Sequence, residues 1–244
     1  MKVQSGKPKF VNKNNWQQVW RNRSTDNLTV PTLEDLIQLD GFDEGAGRVR
    51  VEDWRKYAEL IIDKLQMKRN DCILEVGCGS GALLYALNEH LELNVSGIDY
   101  SENLIKVAKR VLPKGEMQVV EAKNLDETKR YDFVISNGVF HYFDLPYAKQ
   151  VLLKMVGALN RTGGGIYILD IPDLSTRDDS EEIRKKGLRL GEYENKYKDL
   201  MHNYYPKEFF TEFASEFGLK CRIFPSFIPN YNQAKYRFCV ELKH

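Results

Sequence analysis

Cysteine is scarce in this chain and badly spaced for chemistry. There are four, Cys72, Cys78, Cys221 and Cys239. None stand at C-x-x-C spacing and none cluster with histidine, so the usual zinc frameworks are excluded and no metal is expected. Cys72 and Cys239 fall in apolar, strand-like runs, where a thiol is an inert packing group. Long apolar runs are missing as well. No stretch approaches the roughly 20 residues that span a bilayer, and Met1-Lys2-Val3-Gln4-Ser5-Gly6-Lys7-Pro8 lacks the apolar core of a secretory signal. The expectation is a soluble cytoplasmic protein without membrane contact, in which a structural disulfide has no place. Nor is there an excess of either charge: 36 Lys and Arg face 35 Asp and Glu, a net of +1. That removes any general pull towards nucleic acid, although a local basic patch stays possible. What is present is 42% hydrophobic residues over 244 positions, enough for one sizeable core with appendages.

Residues 1–50 are mixed and polar, with short helical pieces around Trp16-Gln17-Gln18-Val19-Trp20 and Leu33–Leu39 and a glycine-rich loop at 40–47. They read as an N-terminal helical cap. Residues 51–244 read as the main domain. Trp54, Tyr57, Ala58, Ile61, Ile62 and Leu65 recur at three- and four-residue steps and share one helix face. From residue 71 strands alternate with helices: strands at Cys72–Val76, 95–98, 117–120, 133–136 and 166–171, and helices between them. Ser101 is placed to cap one helix, and Asp144 with Pro146 to start another. Such alternation implies a parallel sheet with helices on both faces. The end differs. Phe209, Phe210, Phe213, Ala214 and Phe217 stripe a helix closed by Gly218, and two further strands, 221–227 and 236–242, are joined by a loop too short for anything but antiparallel pairing. The expected fold is therefore α/β, Rossmann-like and doubly wound, a mostly parallel seven-stranded sheet ending in an antiparallel hairpin. Residues 172–205 form a polar, helical insertion or lid within it.

The loop after the first strand carries glycines at 77, 79 and 81, which permit a sharp turn and close approach of a ligand. The following helix offers free N–H groups. In open α/β sheets, ligands bind at such carboxyl strand ends. Glycine spacing alone does not choose the ligand, because Gly77, Gly79 and Ala82 also fit the dinucleotide pattern G-x-G-x-x-G/A. Glu75 weighs against a dinucleotide: a carboxylate two residues before the first glycine attracts a cationic amino-acid end and repels a pyrophosphate. The late start of the motif in the chain and the terminal hairpin point the same way.

Ile73-Leu74-Glu75-Val76-Gly77-Cys78-Gly79-Ser80-Gly81 resembles motif I of the class I S-adenosylmethionine-dependent methyltransferases, and the resemblance continues in order. Gly97-Ile98-Asp99-Tyr100-Ser101 is similar to the end of the family's second strand, Val120-Glu121-Ala122 with Leu125 to its D-A-x-x-L element, and Tyr131-Asp132-Phe133-Val134-Ile135-Ser136-Asn137 to its fourth strand. It is specific over about residues 70–170, looser from 206 onward, and absent from 1–50 and 172–205. The resemblance implies that S-adenosylmethionine is the cofactor and S-adenosylhomocysteine the product. It implies cofactor contacts at Glu75, Gly77, Cys78, Gly79 and Ser80, ribose contact at Asp99, adenine contacts at Tyr100, Glu121 and Ala122, and proximity of Asn137 to the methionine end. Glu121 departs from the family's commoner Asp.

A sulfonium methyl is already activated, so the remaining task is alignment and exclusion of water. A base helps only where the acceptor must lose a proton. His141 is the candidate base: it lies just past the fourth strand, at the sheet edge of the glycine loop, with an unperturbed pKa of about 6.5. Packing or capping of the loop is its competing role. Tyr142, Asp170, His202, Tyr204 and Tyr205 are candidates for the acceptor site, with Asp173 beside them, and capping competes for the two aspartates. Arg184-Lys185-Lys186 with Arg189, and Arg48 with Arg50, either bind an anionic group of the acceptor or, more simply, stay solvated. Trp16 and Trp20 either cover the cofactor or dock the cap on the core. No Asn-Pro-Pro-Tyr-type motif follows the fourth strand; Ser136-Asn137-Gly138-Val139 stands there. With balanced charge and no separate recognition domain, the expected acceptor is a small molecule and not nucleic acid, methylated at oxygen or nitrogen, with oxygen favoured if His141 is a base. Two other readings remain, a non-catalytic methyltransferase-like partner protein and a nicotinamide-dependent oxidoreductase, and cofactor binding separates all three.

Overall fold

The computed structural model describes residues 13–23, 30–43, 45–186 and 202–244. Its centre is a seven-stranded sheet of order β3-β2-β1-β4-β5-β7-β6. The strands are β1 (Cys72–Val76), β2 (Asn94–Asp99), β3 (Glu116–Val119), β4 (Phe133–Asn137), β5 (Gly165–Pro172), β6 (Lys220–Pro225) and β7 (Arg237–Lys243). The first five pair in parallel. β7 enters antiparallel between β5 and β6. This is the mostly parallel sheet with an antiparallel end that the alternation of segments implies.

Strand alternation sorts the core into two layers. Ile73, Phe133, Ile135, Tyr167 and Leu169 face one side and pack with α3 (Val51–Leu65), α4 (Ala82–His90) and α5 (Glu102–Val111). Leu74, Val76, Val134, Ile166, Ile168 and Val240 face the other and pack with α6 (Leu145–Ala158) and α8 (Glu208–Glu216). Each fully buried aliphatic side chain contributes about 1.5–3 kcal/mol, and Ile73, Val76, Leu84 and Val134 are all fully buried. The expected caps are present. Ser101 Oγ accepts from the Leu104 N–H at 3.5 Å, and Asp144 accepts from the Tyr147 N–H at 2.8 Å with Pro146 in the first turn of α6.

The N-terminal segment supplies α1 (Lys13–Arg21) and α2 (Leu33–Leu39), the latter opened by a reciprocal Thr32–Asp35 capping box. α1 lies on α5: Trp16 and Trp20 cluster with Leu104, and Ser101 Oγ donates to Trp20 O at 3.1 Å. After β5, a turn at Leu174–Thr176 leads to α7 (Arg177–Lys186). No helix among the described residues is long and apolar enough to cross a membrane.

Two local features place the site. α4 begins at Gly81 without a side-chain cap of its own, so its first N–H groups are left for a partner from elsewhere. In β5 the register shifts between Ile168 and Ile171, and Asp170 within the shift has φ +60°. A non-glycine residue held in that region costs about 1–3 kcal/mol and persists only where its surroundings fix it.

Candidate active site

At the carboxyl end of β1 the chain turns under β2, with the Gly77 and Cys78 N–H groups both donating to Ile98 O at 2.8 and 3.0 Å. Glycine is required here by space as well as by conformation. A Cβ on Gly77 (φ +79°) would lie 2.6 Å from Val139 Cγ2, and one on Gly79 (φ +53°) would lie 2.3 Å from Asp40 Oδ1. The turn forms one wall of a cavity open on one side to solvent. Glu75, Gly77, Cys78, Gly79, Asp99, Tyr100, Glu121, Ala122 and Asn137 all line it. Ser80 does not. Its N–H donates to Asp40 Oδ1 at 2.6 Å and its Oγ to Leu36 O at 3.1 Å, which ties the loop to α2.

The cavity is electrically one-sided. Asp40, Glu75, Asp99 and Glu121 line it, and among the described residues no Lys, Arg or His does. Glu75 is 3% exposed and its Oε2 has no partner. Burial, with Asp40 and Asp99 nearby, pushes its pKa well above the ordinary carboxylate range. Burial lifts Asp99 to about 6, against the N–H groups of Ser101 (2.8 Å) and Gly79 (3.2 Å) that stabilise its charge. Asp40 is lifted to about 7 by burial, although it accepts from the N–H groups of Ser80 and Ala82. Asn137 is oriented by Tyr57, whose hydroxyl donates to Oδ1 at 3.0 Å. Glu121 accepts from Tyr147 (3.0 Å) and Gln17 (3.4 Å). Trp16 and Trp20 from the cap, with Tyr100 and Tyr142, complete an aromatic enclosure.

A second cavity, likewise open to solvent, adjoins the first and shares Trp16, Trp20, Asp40, Phe42, Gly138 and Tyr142 with it. His141, His202 and Asp170 line it. The His141 ring centroid lies 4.2 Å from that of His202 and 4.0 Å from that of Tyr142. Both imidazoles are held neutral: burial, and then the charges of Arg237 and Arg184, push the His141 pKa well below its usual value, and His202 is affected in the same direction. Asp170 pairs with Arg237 at 3.0 Å, with both side chains buried.

Other sequence candidates lie elsewhere. The Tyr204 hydroxyl donates to Glu181 Oε1 at 2.7 Å. Tyr205 is fully buried, its hydroxyl between Phe140 O (2.8 Å) and Phe143 O (2.6 Å), and lines neither cavity. It braces the turn that carries His141. Asp173 caps Ser175 and pairs with Lys207. Of the basic stretches, Arg184 lines the second cavity and pairs with Glu181 at 2.8 Å. Lys186 pairs with Glu182 on the exposed face of α7. Arg48 and Arg50 line a separate groove. Arg189 lies outside the described residues. No metal-binding cluster of His, Cys, Asp and Glu occurs among the described residues.

Asp40, Arg237, Gln233 and Tyr231 escape a sequence reading. Asp40-Gly41 reads only as the start of a glycine-rich loop. Arg237 does leave a trace, as a charge inside an apolar strand, where burial demands a partner.

Residues 73–163 match the family model of a methyltransferase domain. An uncharacterized methyltransferase of Alkaliphilus oremlandii is 29% identical over 160 residues, 63% of this chain and 69% of that protein. The ribosomal RNA small subunit methyltransferase C of Escherichia coli (strain K12 / DH10B) is 29% identical over 160 residues, 63% of this chain and 43% of that protein. The chain spans less than half the length of the first curated relatives it matches, 40% and 44%. Among solved structures, the plantazolicin methyltransferase BpumL in complex with SAH superposes with a TM-score of 0.63 at 19% identity, covering 95% of this chain and 98% of that one. At that identity the likeness is one of fold.

Proposed function

We propose that this chain, a class I methyltransferase by its domain and its fold, transfers a methyl group from S-adenosylmethionine to a small-molecule acceptor by in-line displacement. The observation that carries the reading is the acidity of the first cavity: Asp40, Glu75, Asp99 and Glu121 line it and, among the described residues, no cation does, and a cationic ligand would draw the raised pKa values of Glu75, Asp40 and Asp99 back down. S-adenosylmethionine carries a sulfonium and an ammonium against one carboxylate, so it suits such a wall. A nicotinamide dinucleotide is an anion and is repelled by it. The unpartnered Oε2 of Glu75 suits the ammonium, Asp99 the ribose hydroxyls, and Tyr100 and Ala122 the adenine.

When bound, the cofactor supplies an activated methyl group. The chain's own part is placement and desolvation. Trp16, Trp20 and Tyr142 wall both cavities, exclude water and hold the two ligands against one another. His141, which lines the second cavity, is the group proposed to accept the proton of a hydroxyl acceptor or to receive it after attack by an amine; burial and the nearby arginines lower its pKa and make it a weak base, so the proposal holds only if the bound acceptor offsets them. A second pocket whose three lining arginines are matched by three aspartates favours a small molecule over the polyanionic ribosomal RNA of the bacterial relative.

Calorimetry decides the donor half. S-adenosylmethionine and S-adenosylhomocysteine should bind, and NADH should not. Glu75→Gln should weaken cofactor binding by about 1–3 kcal/mol through loss of a charged partner, with an unchanged circular-dichroism spectrum. Binding of NADH in place of S-adenosylhomocysteine, or an unaffected Glu75→Gln variant, would overturn the assignment.

A further inference from the structure

The carboxylates that line the second cavity all have partners. Asp170 is held by Arg237, Asp43 by Arg23 at 3.3 Å, and Asp40 by the Ser80 and Ala82 N–H groups. Several donors do not. Arg237 spends Nη1 on Asp170 O and Oδ2, and its Nε is buried without a partner. Gln233 accepts through Oε1 from Ser180, and its Nε2 is buried without a partner. Nδ1 of His141 and Nδ1 of His202 are also buried without a partner, each a donor or an acceptor according to its tautomer. An arginine Nε and a glutamine amide nitrogen can only donate. A buried donor left unsatisfied costs about 1–3 kcal/mol, so this unmet demand is for oxygen lone pairs brought by a ligand. No cationic imidazole or ammonium competes for those lone pairs: burial first, and then the charges of Arg237 and Arg184, keep His141 and His202 neutral. The same cavity is also walled by rings. Trp16, Tyr142, His202 and His141 neighbour one another with centroids 4.0–5.9 Å apart, and a planar ring gains most from such a wall.

We propose that the methyl acceptor is a ring-bearing molecule with a carboxylate, the carboxylate received by Arg237 Nε and Gln233 Nε2 and the ring laid on Trp16, Tyr142 and His202. The three guanidinium groups of the lining are each paired, Arg237 with Asp170, Arg184 with Glu181 and Arg23 with Asp43, so what the pocket offers a ligand is two N–H donors, which the two oxygens of a carboxylate match and the heavier charge of a phosphate dianion exceeds. The proposal rests on the methyltransferase reading above for the word acceptor, but the binding site stands on its own geometry.

The experiment is titration calorimetry on the full chain. S-adenosylhomocysteine is titrated first, and its failure to bind would sink the donor reading alone; the acceptor probes are then titrated into the protein without it. The probes are 4-hydroxybenzoate and indole-3-carboxylate, the methyl ester and amide of each, and phenyl phosphate. Both carboxylates should bind, and the esters and amides should bind at least about tenfold more weakly for loss of the charge-assisted pair. Gln233→Met should lose that preference while its response to S-adenosylhomocysteine is unchanged. Arg237→Met strands Asp170 and risks misfolding, so the double variant Asp170→Asn with Arg237→Met is measured beside it, with the same loss expected. Equal binding of ester and acid overturns the proposal. So does preference for phenyl phosphate, a preference retained in Gln233→Met, or failure of every carboxylate to bind.

Discussion

Asp40 reaches the glycine turn from the end of α2 and takes up N–H groups that α4 leaves free. Its carboxylate is lifted from an ordinary 3.8 to about 7, chiefly by burial. Between those values the folded chain keeps a proton that the unfolded chain has released. Stability from this group is therefore complete at low pH and falls as pH rises through about 7. Asp40→Asn carries no such charge. In the cofactor-free protein, the stability of Asp40→Asn relative to the unaltered chain should rise between about pH 4 and pH 7 by about 2 kcal/mol. That is roughly half of full linkage, because the side chain keeps some contact with water. Urea unfolding across that range reads the difference, and a flat line would mean that the carboxylate is ionised throughout. The buried imidazoles of His141 and His202 work in the opposite direction. Their pKa values are lowered, so they withdraw stability as pH falls below about 6.5, where the unfolded chain takes up protons the folded one refuses.

The unit formed by β1, the glycine turn and α4 is where conformation and space coincide. Gly79→Ala places a side chain in a left-handed backbone region, at about 1–2 kcal/mol, and drives its Cβ into Asp40. The expected result is a loss of about 2–3 kcal/mol in stability and weakened binding of S-adenosylhomocysteine. Asp40→Ala added to Gly79→Ala removes the collision, so part of the stability should return, a coupling read by a double-mutant cycle; strict additivity would show that the two do not touch. Elements of this kind are legible in sequence because their signals are local. Ile73 and Leu74 announce a strand buried on both faces, Ser101 and Asp144 announce helix starts, and the short link between the last two strands forces their antiparallel pairing. The strand order is not legible in the same way. That β7 slips between β5 and β6 is decided by pairing across a long stretch of chain. The bulge that turns Asp170 towards Arg237 follows from that pairing and leaves no mark in the residues around it.

At the scale of the molecule the two cavities differ in how the chain builds them. Most of the donor wall comes from residues 75–147, a compact stretch in which each strand end presents its residues to one edge, so Glu75, Asp99, Glu121 and Asn137 fall together as their order in sequence suggests. The second cavity takes Trp16, Asp40, His141, Asp170, Arg184 and Arg237 from across the fold, and no spacing rule links them. The same arrangement makes a prediction about ligand binding. S-adenosylhomocysteine at about a hundred times its dissociation constant should stabilise the chain by about 2.7 kcal/mol. Hydrogen exchange should slow in α1 together with residues 77–80, although they are distant in sequence; slowing in the turn alone would mean that α1 does not cover the ligand. Trp16 and Trp20 stand in both walls, and that has a consequence for timing. Under the proposed function, a helix that walls both chambers ties the departure of the spent donor to that of the methylated product. If that release is slower than the chemistry, it sets the turnover number, and changing the fit of α1 against Leu104 would alter the pace of the enzyme without touching a reacting atom.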